Sequence, residues 1–369
     1  MNGLLAWSHS RCRSTLAFYE GLARAFNVPF RVLCLFGGKS RLASGYTLSE
    51  FDHLDLRIIG EDRIAAIQEY EKHRSWHHLF GAYQKGNMFR EMLLRIAHDG
   101  GRVAVASEAP CIMNKPPISF VKNMYIRSCL RMSVRKQVSA SDFIINLSGE
   151  GDRELMSIGW PQQKIIACGY YPPPLVGSSV SNRGKVKPSE FCLLMTGAHE
   201  WHRNPMVLLK ALAQLKARGI VPKTVITQAG SITEKMKNFA RQHALNVEFA
   251  GVVPIEHLIH LYETCSCFIA TGRAEPWGIR VNDALNCGAP IIVSTGMGAV
   301  KLVNDRRCGL AFKNNDEIDL TNKLGTLITD ERLYREIAQN AYCARAEISP
   351  DKMAIQMADD IRNRFDTWA

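Results

Sequence analysis

Short apolar runs alternate with longer segments of helical periodicity along the whole chain, and this alternation constrains the fold more than any other feature. In the first half the strand-like runs lie at 4–6, 30–36, 56–59, 102–107 and 143–148. Buried strands of this length that alternate with helices are typical of a parallel sheet wrapped by helices. Helical spacing predicts a helix over 14–26 and a long one over about 62–97, broken near Gly81 or Gly86.

A second alternating series follows a stretch at 170–189 that is rich in Pro, Gly and Ser. Its predicted strands lie at 191–197, 223–229, 247–250, 267–270 and 290–294. Its predicted helices lie at 204–218, 233–244, 255–264 and 279–287, and a last helix at 350–368 has no strand after it.

The length of 369 residues exceeds what one hydrophobic core usually supports, so we expect two similar α/β domains that face each other across a cleft. The predicted parts are an N-terminal domain over 1–175, a linker over 176–190, a C-terminal domain over 191–349 and a C-terminal helix over 350–369.

Charge and cysteine content indicate which partners the protein binds and in which compartment it works. The net charge of +11 favours anionic partners such as phosphates, nucleic acid or an acidic membrane surface. Of the eleven cysteines only Cys265 and Cys267 lie close together, and no second pair completes a zinc site. The chain lacks a signal-peptide pattern at its start and an apolar run long enough to span a bilayer, which predicts a reduced, cytoplasmic protein.

The stretch 271-TGRAEPWGIRVNDALNCGAPIIVS-294 predicts a ligand site at the carboxyl end of a strand, where open parallel sheets bind their ligands. It leads into a helix whose start favours an anion, and Gly278 lets the backbone approach a ligand closely. Carboxylates accept hydrogen bonds from neighbouring hydroxyls, so Glu275 and Asp283 could hold a sugar and a ribose on either side of a diphosphate. The alternative is that Glu275 caps the helix and Asp283 is a solvated polar residue.

The segment E-P-W-G-I-x-x-x-D-A-L at 275–285 resembles the E-x7-E motif of retaining GT-B glycosyltransferases, especially glycosyltransferase family 4, also described as glycosyl transferases group 1. Trp277 takes the aromatic position of that motif, and Asp283 replaces its second Glu. The resemblance implies a GT-B fold of two Rossmann-like domains, with the C-terminal helix crossing back to the first. It also implies that Glu275 contacts the transferred sugar and Asp283 the ribose.

Other segments resemble the same family. In 195-MTGAHEWHRNPMVLLKAL-212, Arg203 stands where the family has a diphosphate-binding Lys, and Ala198 replaces its usual Arg. The segment from 250 resembles the loop beside the nucleotide base, and Lys301 replaces a usual Glu. The resemblance implies Glu275 and Arg203 as catalytic residues. The implied donor-binding residues are Gly197, Arg203, Asn204, Gly251, Val252, Glu275, Trp277, Gly278, Ile279 and Asp283. Arg203 by itself is also typical of a surface charge beside an Asn-Pro helix start.

Candidate acceptor residues follow two strands of the first domain. The loop 7–15 offers His9, Arg11, Arg13 and Ser14 as ligands for an anionic acceptor or for the donor phosphates. The strand ending near 107 offers Ser107 and Glu108. His9 is also typical of a polar loop residue, and Glu108 of a turn acid before Pro110.

The segment 120–138 has helical spacing and lies in a region, 110–139, that contains six bases and no acid. Arg127, Arg131 and Arg135 share one face, whereas Val121, Tyr125, Ser128 and Met132 share another. A basic amphipathic helix can lie on an anionic membrane surface; the alternative is a core-packing helix with a solvated basic face. Nucleic acid is a weaker prediction, because the common recognition motifs are missing.

These observations predict a glycosyltransferase that moves a sugar from a nucleotide-sugar to a glycan or lipid-linked acceptor in the synthesis of polysaccharide or lipopolysaccharide. The resemblance implies retention of configuration. No D-x-D motif occurs, so we expect neither a metal nor another cofactor. We expect a location in the cytoplasm, peripheral to the cytosolic membrane face. A sugar-nucleotide epimerase of the same fold and a non-catalytic nucleotide-sugar-binding module remain as alternatives.

Overall fold

The structure of the protein, a computed structural model, describes residues 1–10, 12–36, 51–81, 88–110, 119–149, 151–175, 190–197, 201–227, 230 and 232–368. The chain forms two compact units. The first contains the described residues up to Pro173 together with those from Ser349 onward, and the second contains the described residues from Pro174 to Ile348.

The first unit is built on one parallel sheet. Up to residue 167 its elements are β1 (Leu4–Ser10), α1 (Arg13–Phe26), β2 (Phe30–Phe36), β3 (Leu56–Ile58), α2 (Arg63–Lys72), β4 (His77–Gly81), α3 (Met88–His98), β5 (Val103–Ser107), α4 (Ser119–Ala140), β6 (Ile144–Asn146), α5 (Asp152–Ser157) and β7 (Ile165–Ala167). The strand order is β3-β2-β1-β4-β5-β6-β7. The direction of winding therefore reverses between β1 and β4.

The second unit repeats this plan with six parallel strands. Its elements are β8 (Cys192–Met195), α6 (Pro205–Ala217), β9 (Lys223–Thr227), α7 (Thr233–Gln242), β10 (Val247–Gly251), α8 (Ile255–Thr264), β11 (Cys267–Ala270), α9 (Arg280–Asn286), β12 (Ile291–Ser294), α10 (Val300–Asp305), β13 (Gly309–Phe312), α11 (Glu317–Thr329) and α12 (Glu331–Ala344). The order β10-β9-β8-β11-β12-β13 places the reversal between β8 and β11. Two doubly wound α/β units were predicted from the alternation, and the structure confirms them.

The apolar runs form strands that are buried on both faces. In β1, Leu5 and Trp7 belong to the hydrophobic cluster on one face of the sheet, whereas Leu4 and Ala6 belong to the cluster on the other. Parallel strands covered by helices on both sides need apolar residues at consecutive positions, which explains why these strands lack polar alternation.

The last helix, α13 (Pro350–Arg364), packs against α1 and belongs to the first unit, as the resemblance implied. Beyond it Trp368 is fully buried, and its Nε1 donates to Asp142 at 2.8 Å. The backbone oxygen of Thr367 contacts His77 Nε2 at 2.7 Å. The C-terminal segment is thus anchored to the first sheet.

The long helix expected over 62–97 is wrong, because α2 and α3 are separated by the central strand β4. β4 is held by β1: Trp7 stacks on Phe80 with ring centroids 5.2 Å apart, and Trp7 Nε1 donates to His78 Nδ1 at 3.1 Å. These contacts join residues far apart in sequence and leave no local signal. Within the described residues, no helix is both long and apolar enough to cross a bilayer.

Candidate functional site

The predicted donor residues gather where the winding of the second sheet reverses, between β8 and β11. Thr196 and Gly197 follow β8, and Thr271 and Gly272 follow β11. In open α/β sheets the carboxyl ends of the two strands at such a point form the usual ligand crevice.

Two hydrogen bonds fasten the segment after β8 to the segment after β11. Thr271 Oγ1 donates to the backbone oxygen of Arg203 at 2.5 Å, and the backbone nitrogen of Arg273 donates to the oxygen of His202 at 2.8 Å. These two bonds fix the position of Arg203 relative to the loop that carries Glu275. Ala198, which stands where the family has an Arg, lies outside the described residues.

Asn204, predicted to bind the donor, has its side chain engaged with protein groups. Its backbone is left-handed, with φ of 50°, and its side chain is 3% exposed. Arg273 Nη2 donates to its Oδ1 at 2.7 Å, and its Nδ2 donates to Asn315 Oδ1 at 3.1 Å. Asn204 therefore shapes the turn that precedes α6.

Arg203 and Glu275 form an ion pair, with Nη1 to Oε2 at 3.3 Å. The Glu275 side chain is 8% exposed and that of Arg203 21%. The backbone of Glu275 pairs with the next loop: its nitrogen donates to Gly296 at 3.0 Å, and its oxygen accepts from Gly298 at 3.1 Å. Glu275 Oε1 is buried and has no hydrogen-bond partner among the residues that the structure describes. One oxygen faces a guanidinium, and the other can accept from a ligand hydroxyl.

The two alternatives considered for the acids do not hold. The N-cap residue of α9 is Ile279, whose side chain makes no capping hydrogen bond, so Glu275 is not the N-cap of this helix. Asp283 is 5% exposed and is therefore not a solvated polar residue. Both carboxyl groups are held inside the protein, where an ionised group is costly unless it is paired or hydrogen-bonded.

Trp277, predicted at the donor, has its side chain in the core. It is 2% exposed, and its Nε1 donates to Asn282 Oδ1 at 2.7 Å. The buried Trp277 ring therefore packs beneath the loop between β11 and α9 as part of the protein core. Gly278 has φ of 102°, and a Cβ there would collide with the Met297 side chain, so glycine is required at this turn.

A small cavity of about 20 Å³ lies beside the ion pair. Its polar lining includes Thr196, Arg203, Thr271, Glu275 and Arg280. Room for about one water is enough for a single ligand group to enter. The lining combines two guanidinium groups with one carboxylate, which suits an anion that also carries hydroxyl groups.

The predicted base-side residues lie at the end of β10. Gly251 has φ of +66° with open space where a Cβ would point, and Val252 is 70% exposed. An exposed apolar side chain beside open backbone can pack against a flat ring. Lys301, where the family has an acid, pairs with Asp305 on the exposed side of α10 at 2.7 Å.

The predicted acceptor residues lie at the carboxyl ends of β1 and β5. His9 is within β1, which continues to Ser10, and not in a loop as expected. Arg11 lies outside the described residues, and Arg13 begins α1 with Ser14 buried behind it. Ser107 ends β5, and its Oγ donates to the oxygen of the exposed Glu108 at 3.2 Å.

Sequence reasoning missed Tyr170, whose hydroxyl donates to the Glu108 carboxylate. Burial, together with the nearby Glu108 charge, raises the pKa of Tyr170 well above its usual value. The tyrosine therefore remains a hydrogen-bond donor. It lies in the Pro-rich run that indicated a linker, so only the fold could reveal the contact.

Helix α4 covers the basic segment, but its faces differ from expectation. Tyr125, Ser128 and Met132 are exposed, whereas Val134 and Val138 are buried against the sheet. Arg127 Nη2 lies 2.9 and 3.0 Å from the two carboxylate oxygens of Glu154. Its charge is therefore paired within the protein, unlike the solvated charge that was predicted for the basic face. The exposed side of α4 therefore mixes apolar and basic residues.

Within the described ranges, no three or more His, Cys, Asp or Glu side chains are grouped so that they could hold a metal ion.

The chain is similar to glycosyltransferases in sequence and in fold. The sequence profile of the family Glycosyl transferases group 1 matches residues 180–343, which lie in the half of the chain that carries Arg203 and Glu275. The structure resembles that of Anabaena Alr3699/HepE in complex with UDP, with a TM-score of 0.72, 14% identity, and coverage of 98% of this chain and 100% of that one. It also resembles WaaG, a glycosyltransferase involved in lipopolysaccharide biosynthesis, with a TM-score of 0.59, 13% identity, and coverage of 97% and 99%.

Among curated proteins, a Campylobacter jejuni enzyme is 29% identical over 167 residues, which are 43% of this chain and 45% of that protein. It is a GalNAc-alpha-(1->4)-GalNAc-alpha-(1->3)-diNAcBac-PP-undecaprenol alpha-1,4-N-acetyl-D-galactosaminyltransferase. Over three other curated relatives the match spans 32%, 22% and 62% of their own length. The chain therefore has the GT-B fold, and residues 180–343 are similar to group 1 glycosyl transferases.

Proposed function

We propose that the protein transfers a sugar from a nucleotide-sugar to a hydroxyl group of a glycan or lipid-linked acceptor, with retention of configuration at the transferred carbon. The observation that carries this proposal is the Arg203–Glu275 pair, 3.3 Å apart at the reversal point of the second sheet. A buried carboxylate beside a guanidinium matches the two halves of a nucleotide-sugar, since one group accepts from sugar hydroxyls and the other binds phosphate oxygens.

In this reaction the bond between the sugar and the diphosphate breaks, and negative charge grows on the leaving diphosphate. Arg203 offsets that charge, which is the interaction that usually contributes most to such catalysis. Glu275 holds the sugar through the oxygen that faces the cavity, and Asp283 binds the ribose. Val252, which is 70% exposed, packs against the base. The proposed reaction does not use a metal ion.

Donor and acceptor classes rest on relatives. The Anabaena protein was solved with UDP and with UDP-glucose, which favours a UDP-sugar as the first donor to test. The Campylobacter relative acts on an undecaprenol-linked glycan, and WaaG takes part in lipopolysaccharide synthesis. We therefore propose a lipid-linked glycan acceptor, bound in the first unit near His9, Ser107 and Glu108, with the Tyr170 hydroxyl orienting the Glu108 carboxylate.

A lipid-linked acceptor places the reaction at a membrane, and the exposed side of α4 fits an anionic bilayer on the cytoplasmic side. Met124, Tyr125 and Met132 are 56%, 70% and 72% exposed. The exposed bases around them are Lys122, Arg131, Arg135 and Lys136. Apolar side chains that enter the interface beside basic residues that pair with lipid phosphates are the combination that holds a helix on such a surface.

Sedimentation with vesicles tests this contact. We expect binding to phosphatidylglycerol-containing vesicles and not to pure phosphatidylcholine, with about tenfold loss in a Tyr125→Ser/Met132→Ser variant and a comparable loss in Arg131→Gln/Arg135→Gln. Lys235→Gln/Lys237→Gln on α7 removes the same charge from the second unit and is the control. Equal loss in the control would show that only total charge matters and would reject α4 as the contact.

Donor binding is the first test of the transferase. UDP-, GDP- and ADP-sugars are screened by thermal shift, since a ligand that binds only the folded state raises the melting temperature. We expect one nucleotide series to stabilise the protein and Arg203→Ala to reduce that shift. No shift at millimolar concentration for any series would overturn the proposal.

Turnover then separates the alternatives. Transfer to a lipid-linked acceptor, followed by NMR of the new anomeric bond, supports the transferase and tests retention. Conversion of the nucleotide-sugar without an acceptor would favour the epimerase, and binding without turnover would favour the binding module. Full activity in the presence of a chelator is expected if no metal takes part.

A further inference from the structure

We infer that Arg280, the first residue of α9, is a second phosphate-binding residue of the donor site, and that Gly197 is glycine to make room for it. This inference rests on the proposed function, because it assigns a further contact to the same nucleotide-sugar.

The position of Arg280 is defined by Gly197. Gly197 follows β8 and has φ of +69°, a conformation that favours glycine. The three atoms nearest to a Cβ added there are Nη1, Cζ and Nη2, all of the Arg280 guanidinium. The guanidinium therefore lies directly against the backbone at the carboxyl end of β8, and any larger residue at 197 would displace it.

Arg280 and Arg203 line the same cavity beside Glu275. The charge of Arg203 is partly offset by Glu275 at 3.3 Å. A diphosphate carries more than one negative charge, so a single guanidinium already paired with a carboxylate leaves part of that charge uncompensated. A second guanidinium, from the start of α9, adds the missing positive charge and a planar pair of donors.

Arg273 is the third arginine of this region, and the structure gives it another role. Its Nη2 donates to Asn204 Oδ1 at 2.7 Å, and its backbone oxygen accepts from Asn314 Nδ2 at 2.7 Å. It does not line the cavity. Arg273 thus holds two loops together, whereas Arg280 faces the space that a ligand would enter.

Binding measurements with a graded set of probes test the assignment. Dissociation constants for UDP, UMP, uridine and inorganic pyrophosphate are measured by calorimetry for the wild type, Arg280→Ala and Arg280→Lys. We expect UDP and pyrophosphate to bind Arg280→Ala about 10- to 100-fold more weakly, the range for loss of one charge-assisted contact, with uridine unchanged. Arg280→Lys keeps the charge without the planar fork and is expected to recover part of the affinity.

The matched control is Arg335→Gln, which removes a guanidinium that pairs with Glu331 within α12. It is expected to leave all four affinities unchanged. The melting temperature of each variant without ligand is recorded, so that a folding defect is recognised as such.

Gly197→Ala provides an independent measurement. Its Cβ displaces the Arg280 guanidinium, so UDP binding should weaken nearly as much as in Arg280→Ala. In the double variant the two losses should not add, because the same contact is lost only once. Full additivity would mean that Gly197 and Arg280 act separately and would overturn the inference.

The outcomes also separate this inference from the proposed function. If the wild type binds UDP and Arg280→Ala binds it equally well, the inference fails and the proposed function stands. If pyrophosphate binding depends on Arg280 but no UDP-, GDP- or ADP-sugar binds, the anion site stands and the transferase fails. If the wild type binds neither nucleotides nor pyrophosphate, both are rejected.

Discussion

Glu275 is a carboxylate held at 8% exposure with one oxygen facing a guanidinium and the other facing Gly272. Removing such a group from water is costly, and the pair with Arg203 returns only part of that cost. Retaining an acid there is consistent with a role in ligand binding more than in stability.

The isosteric change Glu275→Gln tests that role. It keeps the shape of the side chain and removes the charge that positions the sugar and Arg203. We expect turnover to fall about 10²- to 10³-fold with the fold intact. Transfer rates at saturating donor, together with circular dichroism, check this outcome. Turnover close to that of the wild type would exclude Glu275 from the catalytic site.

Gly272→Ala should act on Glu275 indirectly. A Cβ at Gly272 would lie 2.8 Å from Glu275 Oε1 and 2.9 Å from Met297 Cγ, so the carboxylate must shift. We expect about a 10²-fold loss of turnover, since misplacement by a fraction of an ångström to one ångström is enough to disturb a reacting group. Gly325→Ala in α11 is the control: its Cβ is 3.6 Å from Leu215 Cδ2, an ordinary contact, and alanine should add about 0.5 to 1 kcal/mol of stability. Equal activity of the two variants would contradict this account.

Residue types and spacing indicated Glu275 and Asp283 as candidates at a strand end, whereas Arg203 was predicted from the family resemblance. Spacing could not separate ligand-facing from supporting residues. Asn204 and Trp277 occupy motif positions but are turned into the protein, where Arg273 and Asn282 hold them. Arg280 has no motif to indicate it, since its contact with Gly197 exists only in three dimensions.

At the level of elements, most strands were predictable from their apolar runs, whereas some were not. β2, α8 and β11 have the bounds expected from the sequence. β4, β7 and β13 were not predicted, because three to five residues without alternation cannot be told from part of a helix or loop. β4 is formed by tertiary contacts with β1, above all those of Trp7 with His78 and Phe80.

The C-terminal segment gives a prediction at this scale. Trp368 is fully buried and donates to Asp142 at 2.8 Å. Trp368→Ala should lower the free energy of unfolding of the first unit by about 3 to 5 kcal/mol, whereas Trp368→Phe should cost about 1 kcal/mol for the lost hydrogen bond. Urea titration of the two variants checks both values. If the alanine variant unfolds at the wild-type urea concentration, the segment does not contribute to the stability of the first unit.

For the whole molecule, the two adjacent histidines of β4 predict acid sensitivity. Burial lowers the pKa of His78 to about 3, and burial also lowers the pKa of His77. Between about pH 6.5 and the folded-state pKa, the unfolded chain binds a proton that the folded chain does not. Stability is therefore complete above about pH 6.5 and falls as the pH decreases, by at most about 1.4 kcal/mol per pH unit for each histidine.

Urea unfolding at about pH 7.5 and about pH 5 measures this slope. His78→Asn keeps an acceptor for Trp7 Nε1 and does not titrate, so its stability should depend less on pH than that of the wild type. The same pH dependence in both proteins would mean that other groups cause the loss.

The return of α13 to the first unit has a consequence for how the protein is made. The described residues of the second unit all lie between Pro174 and Ile348, whereas the first unit is completed only by residues from Ser349 onward. The ribosome therefore synthesises all of the second unit before the first unit is complete. Until Thr367 and Trp368 have been synthesised, His77 of β4 lacks its contacts with these two residues. A nascent chain stalled shortly before Ser349 would carry a complete second unit and a first unit whose helix α1 lacks its partner.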